Sequence, residues 1–137
     1  MVGERTRKAA LFSMNNDELL ERWPAAVTTA SGLSYVVTQE GNGEQTPEKG
    51  ELIKAHYVGR LLDGTVFDSS RERNEPFETP IGVGGVIKGW DEAFMEMTQG
   101  EQRTLIIPPS LAYGEAGFYD LIPPHSTLVF EVELLSF

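Results

Sequence analysis

Apolar and polar residues alternate along most of the chain after residue 31, and this period of two predicts β-strands with one buried face. Within residues 51–61, Ile53, Ala55, Tyr57 and Leu61 fall on the same face. Asp63-Gly64 then forms a typical hairpin turn, which leads into a further strand over residues 65–67. The same alternation predicts strands over residues 34–38, 102–107 and 128–134.

One helix interrupts these strands. Trp90, Ala93, Phe94 and Met97 are spaced at i, i+3, i+4 and i+7, which gives a helix with one apolar side, and Gly100 is expected to end it. A single helix packed across an antiparallel sheet is an α+β domain.

The first 30 residues are expected to be an N-terminal arm with a short helix and a linker, followed by the main domain over residues 31–137. Asn15 or Asn16 caps the predicted helix and Pro24 ends it. Its apolar side comprises Leu19, Leu20 and Trp23. The stretch rich in Thr, Ala and Ser up to residue 31 is typical of a linker.

Charge and composition exclude several classes of partner. The formal net charge of −10 at pH 7 argues against binding nucleic acid, which requires a basic surface. No apolar run is long enough to span a membrane, so no membrane partner is expected. There is no Cys, which excludes disulfides. We expect a cytoplasmic monomer; the alternative compartment is an organelle lumen or the periplasm, after removal of a targeting segment.

Motifs for covalent or metal-dependent catalysis are absent. The sequence contains no nucleophile elbow, no zinc-protease motif and no phosphate-binding loop. His56 and His125 are far apart and have no Cys partners, so neither a metal nor a cofactor is expected. Several aromatic residues recur near turns instead. Most of them could be core residues, and an aromatic pocket is the alternative.

Four stretches of the sequence resemble the FKBP-type peptidyl-prolyl cis-trans isomerases, the macrolide-binding immunophilins. They are HYVGRLLDGTVFDSSRERNEPF (56–77), VIKGWDEA (86–93), PPSLAYGEAG (108–117) and IPPHSTLVFEVELL (122–135). The resemblance implies a curved antiparallel sheet of about five strands wrapped around one short helix, with the N-terminal helix as an extension.

The resemblance also implies a set of site residues. Trp90 corresponds to the floor of the family's pocket, and Asp68 and Tyr113 to its polar rim, with Arg73 pairing with Asp68. The hydroxyl of Tyr113 and the backbone amide of Ile87 are expected to donate to substrate carbonyls. The implied catalytic set is Tyr57, Phe67, Asp68, Trp90, Tyr113 and Phe130. The wider set implied for substrate and macrolide binding adds Arg73, Phe77, Val86, Ile87, Ala112, Phe118, Leu121 and Ile122.

The function implied is acceleration of X–Pro peptide rotation without covalent chemistry, in support of protein folding. The expected partners are proline-containing peptides, unfolded segments, and macrolides such as tacrolimus and rapamycin. Gly85 stands where many relatives carry a larger residue, which predicts a looser loop and weaker macrolide binding. Phe118 and Leu121 make the rim more apolar, which favours Leu or Phe before the proline. A binding or chaperone module with little activity is the alternative, and the N-terminal helix could have an interaction role.

Overall fold

The computed structural model describes residues 12–137, which form two α-helices, seven β-strands and one short 3₁₀-helix. The first part of the predicted N-terminal arm, residues 1–11, lies outside the described residues. In chain order the elements are α1 (Asn16–Arg22), β1 (Val27–Thr28), β2 (Ser34–Gln39), β3 (Leu52–Arg60), β4 (Val66–Ser69), β5 (Phe77–Pro80), α2 (Lys88–Phe94), β6 (Gln102–Ile107), the 3₁₀-helix (Pro109–Leu111) and β7 (Leu128–Ser136).

All seven strands belong to one antiparallel sheet in the order β1-β2-β6-β7-β3-β4. Strand β5 also pairs with β3, along residues 52–55, while β4 pairs with residues 58–60. The α+β class is therefore confirmed. The strand count is higher than the expected five for two reasons. The two-residue strand β1 extends the sheet beyond β2, and the short strands β4 and β5 share one edge of β3.

Strands β3 and β7 bury the faces that their alternating patterns predict. In β3, Ile53, Ala55 and Tyr57 are buried, and Leu61 is buried just beyond its end. Strand β7 buries every second residue from Leu128 to Leu134 against the same core. Helix α2 packs its own apolar residues into that core, which comprises Leu33, Ile53, Ala55, Tyr57, Leu61, Ile81, Trp90, Ala93, Phe94, Met97, Leu105, Ile107, Ile122, Leu128, Phe130, Val132 and Leu134.

Helix α2 ends earlier than the sequence predicts. It stops at Phe94 rather than near Gly100, because the chain tightens into i→i+3 hydrogen bonds, with the amide of Met97 donating to the carbonyl of Phe94 over 3.3 Å. Met97 remains fully buried after this turn. Gly100 instead has a positive φ of 85° in the turn that leads into β6, where its amide donates to Leu134.

Helix α1 forms where predicted, with Asn15 as its N-cap. The Oδ1 atom of Asn15 accepts a 2.9 Å hydrogen bond from the amide of Glu18. The helix ends at Arg22, before Pro24, and none of its residues is buried. Leu20, on the predicted apolar side, is 48% exposed. None of the described helices is both long enough and apolar enough to cross a membrane.

The segment predicted as a linker contributes to the fold. It contains β1, whose two residues pair with Ser34 and Tyr35 of β2. The hydroxyls of Thr29 and Ser31 both donate to the carboxylate of Glu92 on α2, at 2.8 and 2.5 Å. A two-residue strand is too short to show a period in the sequence, which explains why a linker was the prediction.

A buried ion pair stabilises the turn between α2 and β6. The guanidinium of Arg103 donates to Glu101, and both side chains are less than 10% exposed. Glu101 also accepts hydrogen bonds from the amide and hydroxyl of Thr98, at 3.1 and 3.2 Å. The guanidinium lies 4.3 Å from the ring centre of Tyr35. Both charges are therefore largely shielded from water that could replace the partner.

Glu101→Gln is expected to lower the free energy of unfolding by about 3–5 kcal/mol, because it leaves the Arg103 guanidinium buried without a counter-charge. Urea denaturation followed by circular dichroism measures this loss. The matched control is Glu131→Gln, which breaks a solvent-exposed pair with Arg60 and is expected to cost less than about 1 kcal/mol. Equal losses in the two variants would contradict the prediction.

Candidate functional site

An aromatic cavity of about 260 Å³ opens at the surface beside the N-terminal end of α2. It is smaller than the roughly 300–1,000 Å³ of cavities that enclose a drug-sized ligand, and therefore suits a single side chain or ring. Its lining residues are Tyr57, Phe67, Asp68, Phe77, Gly85, Val86, Ile87, Trp90, Tyr113 and Phe130. The structure thus brings together nine of the residues implied by the sequence resemblance, together with Gly85.

Trp90 lies in the first turn of α2 and is 95% buried in the cavity lining. The rings of Tyr57 and Phe130 meet its indole edge-to-face, with centroids 4.9 and 5.3 Å away. Gly89 allows the start of the helix to approach the sheet, since a Cβ there would lie 2.7 Å from Ile107. The indole is therefore held in one orientation by packing on several sides.

Phe67 and Phe130 form one wall of the cavity. Their rings lie edge-to-face at a centroid distance of 5.5 Å. Gly59, on the neighbouring strand β3, makes this arrangement possible, because a Cβ there would lie 2.7 Å from atoms of both rings. Neither ring could keep its position beside a larger residue.

A network of charged and polar groups occupies one side of the rim. The hydroxyl of Tyr57 donates to Asp68 over 2.5 Å. Arg73 donates to the other oxygen of Asp68 over 2.5 Å and to the hydroxyl of Tyr57 over 3.1 Å. The predicted pairing of Arg73 with Asp68 is confirmed. These three contacts fix the carboxylate beside an otherwise aromatic surface.

The network shifts the pKa values of its members in opposite directions. Partial burial alone would raise the pKa of Asp68, but hydrogen bonds from Tyr57 and Arg73, with the charge of Arg73, outweigh it and lower that pKa. Burial, followed by the hydrogen bond to Asp68, raises the pKa of Tyr57. At neutral pH the site therefore holds a carboxylate and a neutral phenol.

Tyr113 lies across the cavity, shortly after the 3₁₀-helix Pro109–Leu111. Burial, followed by the negative charge of Asp68, raises the pKa of its phenol. Among the described residues its hydroxyl has no hydrogen-bond partner, so it is available to a ligand. Its ring lies 5.0 Å from that of Phe118.

Besides Arg73, four residues implied for ligand binding do not line the cavity: Ala112, Phe118, Leu121 and Ile122. Ile122 is buried and belongs to the core, against which Ala112 also packs. Phe118 and Leu121 are 40% and 46% exposed on a loop that folds back on itself through the Phe118–Ile122 bridge. This closed loop places their side chains outside the cavity. Arg73 also lies outside the lining and acts through Asp68 and Tyr57.

Asp91 is a residue of the site that the sequence reasoning missed. Its carboxylate accepts hydrogen bonds from the amides of Gly82 and Gly84, at 2.7 and 2.9 Å. Both glycines have positive φ angles, of 80° and 79°. Asp91 therefore ties the loop that leads to Val86 and Ile87 to the helix that carries Trp90. An acidic residue in the first helical turn after a glycine cluster was the available signal.

No group of three or more potential metal ligands occurs among residues 12–137. The cavity has aromatic walls and one hydrogen-bonded carboxylate. It offers an apolar surface, with Tyr113 as a donor at its rim. Such a site can bind and orient a small apolar ring without any covalent step.

Comparison with known proteins identifies close relatives. The family described as FKBP-type peptidyl-prolyl cis-trans isomerase matches residues 43–135. FK506-binding protein 1A of Aspergillus fumigatus is 53% identical over 104 residues, which cover 76% of this chain and 93% of the relative. The peptidyl-prolyl cis-trans isomerase Fkbp12 of Drosophila melanogaster is 48% identical, covering 76% and 96% of the two chains.

Two solved structures are also similar. The crystal structure of AtFKBP13 superposes with a TM-score of 0.75 at 45% identity, covering 81% of this chain and 97% of the other. That of FkpA from Escherichia coli superposes with a TM-score of 0.83 at 38% identity and covers 97% of this chain and 62% of the other.

Arg73→Gln is expected to raise the pKa of Asp68, because it removes a hydrogen bond and a positive charge from the carboxylate. Because the pKa of Asp68 is lower in the folded state than in the unfolded state, the ionised carboxylate stabilises the fold. This stabilisation is fully present above about pH 4, the pKa in the unfolded state, and is lost as the pH falls through the pKa in the folded state. That contribution at neutral pH is expected to shrink in the variant.

NMR titration of the side-chain carboxyl carbons measures the pKa of Asp68 directly. Arg71→Gln is the matched control, because Arg71 pairs with Glu133 instead. An unchanged pKa in Arg73→Gln, or an equal rise in both variants, would contradict the prediction.

Proposed function

Because this chain belongs to the FKBP-type peptidyl-prolyl cis-trans isomerases, we propose that its aromatic cavity is the place where the peptide bond before a proline is rotated. The proline ring lies on Trp90, between the walls formed by Phe67, Tyr57 and Phe130. The observation that carries this proposal is the meeting of a buried aromatic floor with a polar rim in a cavity that fits one ring.

The reaction requires no bond to form or break. Rotation about the C–N bond of an amide costs about 18–20 kcal/mol because the bond has partial double-bond character. The twisted amide has lost this resonance, and its carbonyl is less polar than that of the planar form. An apolar cavity therefore disfavours the planar ground state more than the twisted state, which lowers the barrier.

Two donors are proposed to hold the backbone on either side of the rotating bond. The free hydroxyl of Tyr113 and the amide of Ile87 donate to substrate carbonyls. Packing on the proline ring holds the proline side of the rotating bond in place. Asp68 acts at the rim, kept ionised by Tyr57 and Arg73. Asp91 positions Ile87 through the preceding loop. The catalytic effect then comes from orientation within a dry site rather than from proton transfer.

Macrolide binding is a further part of the proposal. Similar relatives carry the name FK506-binding protein, one of them at 53% identity over 104 residues. We propose that FK506, which is tacrolimus, places part of its structure in the same cavity and competes with substrate, as does rapamycin. Proline-containing segments of unfolded proteins are the proposed substrates, which would give the enzyme a role in protein folding.

Tyr113→Phe is expected to lower kcat/KM for a proline peptide about fivefold, the effect of losing one hydrogen bond of about 1 kcal/mol. Asp68→Ala is expected to lower it about tenfold or more, since charged hydrogen bonds contribute about 1.5–3 kcal/mol. A protease-coupled or exchange-NMR assay of prolyl isomerisation, with and without tacrolimus, measures these changes.

Tyr119→Phe makes the same chemical change on an exposed ring outside the cavity lining and is expected to leave kcat/KM unchanged. Wild-type activity at the uncatalysed background would contradict the proposal and favour a binding module that keeps the fold.

Phe118 and Leu121 are proposed to contact the residue before the proline, because both are exposed apolar side chains of one loop and the ring of Phe118 lies beside that of Tyr113. Wild type is expected to prefer Leu or Phe over Ala or a charged residue at that position. Phe118→Ala is expected to reduce the preference for Leu over Ala about threefold or more, consistent with about 0.8 kcal/mol per buried methylene group.

A peptide series that varies only this residue measures the preference as a ratio of kcat/KM values. Leu20→Ala, on an exposed position of α1, is the control and is expected to leave the ratio unchanged. A preference for charged residues would contradict the proposal.

A further inference from the structure

A second, open groove of about 620 Å³ lies next to the aromatic cavity. It is lined by Lys54, Arg73, Glu75, Pro76, Phe77 and Glu78; we call it the Glu75 groove. Phe77 lines both depressions. Arg73 lines the groove and also donates to Asp68 and Tyr57, which line the cavity. The two sites therefore share Phe77 and are linked through the Arg73 side chain.

The charges in the groove leave one carboxylate without a partner. The guanidinium of Arg73 is already engaged by Asp68 and Tyr57. Lys54 lies 3.7 Å from Glu78, its partner across the β3–β5 pair. The side chain of Glu75 makes neither a hydrogen bond nor an ion pair with any residue that the structure describes. The uncompensated charge of the groove is therefore negative.

A substrate peptide can reach this groove while its proline occupies the cavity. An extended chain advances about 3.3–3.6 Å per residue, so a residue two or three positions from the proline lies about 7–11 Å away. Because Phe77 lines both depressions, a residue at that distance from the proline is within reach of the groove. The groove is wide and open, which suits a long side chain that lies along its surface.

We propose that the Glu75 groove is a specificity subsite that binds a Lys or Arg side chain of the substrate, two or three residues from the proline. The inference rests on the proposed function and names the substrate class that the site prefers. The methylene groups of such a side chain pack on Phe77 and Pro76, and its charge meets the carboxylate of Glu75. Because the groove is open to solvent, the expected preference is modest.

The chain as a whole carries a net charge of −10, which attracts any basic peptide to any part of its surface. A preference caused by the groove differs from this general attraction in two ways. It depends on the position of the basic residue relative to the proline, and it depends on Glu75 in particular. The experiment therefore varies both.

The test uses peptides with one Leu-Pro bond that carry Lys, Gln or Glu at single positions up to three residues before or after the proline. For the wild type, kcat/KM is expected to be about two- to fivefold higher for Lys than for Gln at a position two or three residues away on one side only. The ratio is expected to fall toward one when the salt concentration is raised.

Glu75→Gln is expected to abolish the ratio of Lys to Gln, and Glu75→Lys to reverse it in favour of Glu peptides. Glu44→Gln makes the same change in net charge at an exposed position outside both depressions and is expected to keep the wild-type ratio. The ratio compares kcat/KM for the Lys and Gln peptides with the same preparation of one variant. A change in the folded fraction of that variant therefore affects both values equally and does not alter the ratio.

A Lys preference of equal size at every position, or one that survives in Glu75→Gln, would overturn the proposal and leave the proposed isomerase function intact. Failure of the wild type to turn over any peptide, including the Gln series, would overturn the proposed function and the groove proposal with it.

Discussion

The packing of helix α2 into the sheet is the contact on which both the core and the cavity depend. The helix has only seven residues, four of which are buried. Gly89 and Ala93 are small, so the helix can lie close to the strands, while Trp90 and Phe94 fill the space on either side. A helix this short is not stable alone in water. Its position is set by the sheet, and the sheet in turn lacks a complete core without it.

This mutual dependence of helix and sheet explains why the side chain of Trp90 has two roles. Trp90 belongs to the same apolar stripe as Phe94 and Met97, and all three are buried in one continuous core. Trp90 is the member nearest the open end, where the aromatic rings of β3 and β7 reach it but do not cover it completely. The cavity is thus an unfilled end of the core. Stabilising the fold and shaping the site are consequences of the same contacts.

Periodicity was sufficient to predict the fold class because the strands that form the core bury one face almost completely, as β3 and β7 do. The early end of α2 could not be predicted, since the turn after Phe94 is set by the buried pair of Glu101 and Arg103 and by tertiary packing. Strand β1 was also missed, because pairing across a sheet decides two-residue strands and leaves no local pattern.

For the site, the family resemblance predicted which residues come together, whereas their exact contacts required the structure. Nothing in the sequence shows that Gly59 lies between two rings, and the acidic residue after the glycine cluster does not by itself show that Asp91 accepts hydrogen bonds from Gly82 and Gly84. The family resemblance implied Phe118 and Leu121 as binding residues, and the Phe118–Ile122 bridge that shapes their loop leaves no local pattern in the sequence. Through-space contacts of this kind depend on register between segments far apart in the chain.

The position of Trp90 also makes the intrinsic tryptophan fluorescence of the protein sensitive to what occupies the cavity. The chain contains only two tryptophans. One is the floor of the cavity, surrounded by aromatic rings and shielded from water. The other, Trp23, lies at the end of α1 beneath the guanidinium of Arg22 and outside the cavity lining. Any molecule that enters the cavity changes the surroundings of the Trp90 indole and does not contact the Trp23 indole. The intrinsic emission of the unlabelled protein can therefore report occupancy of the cavity.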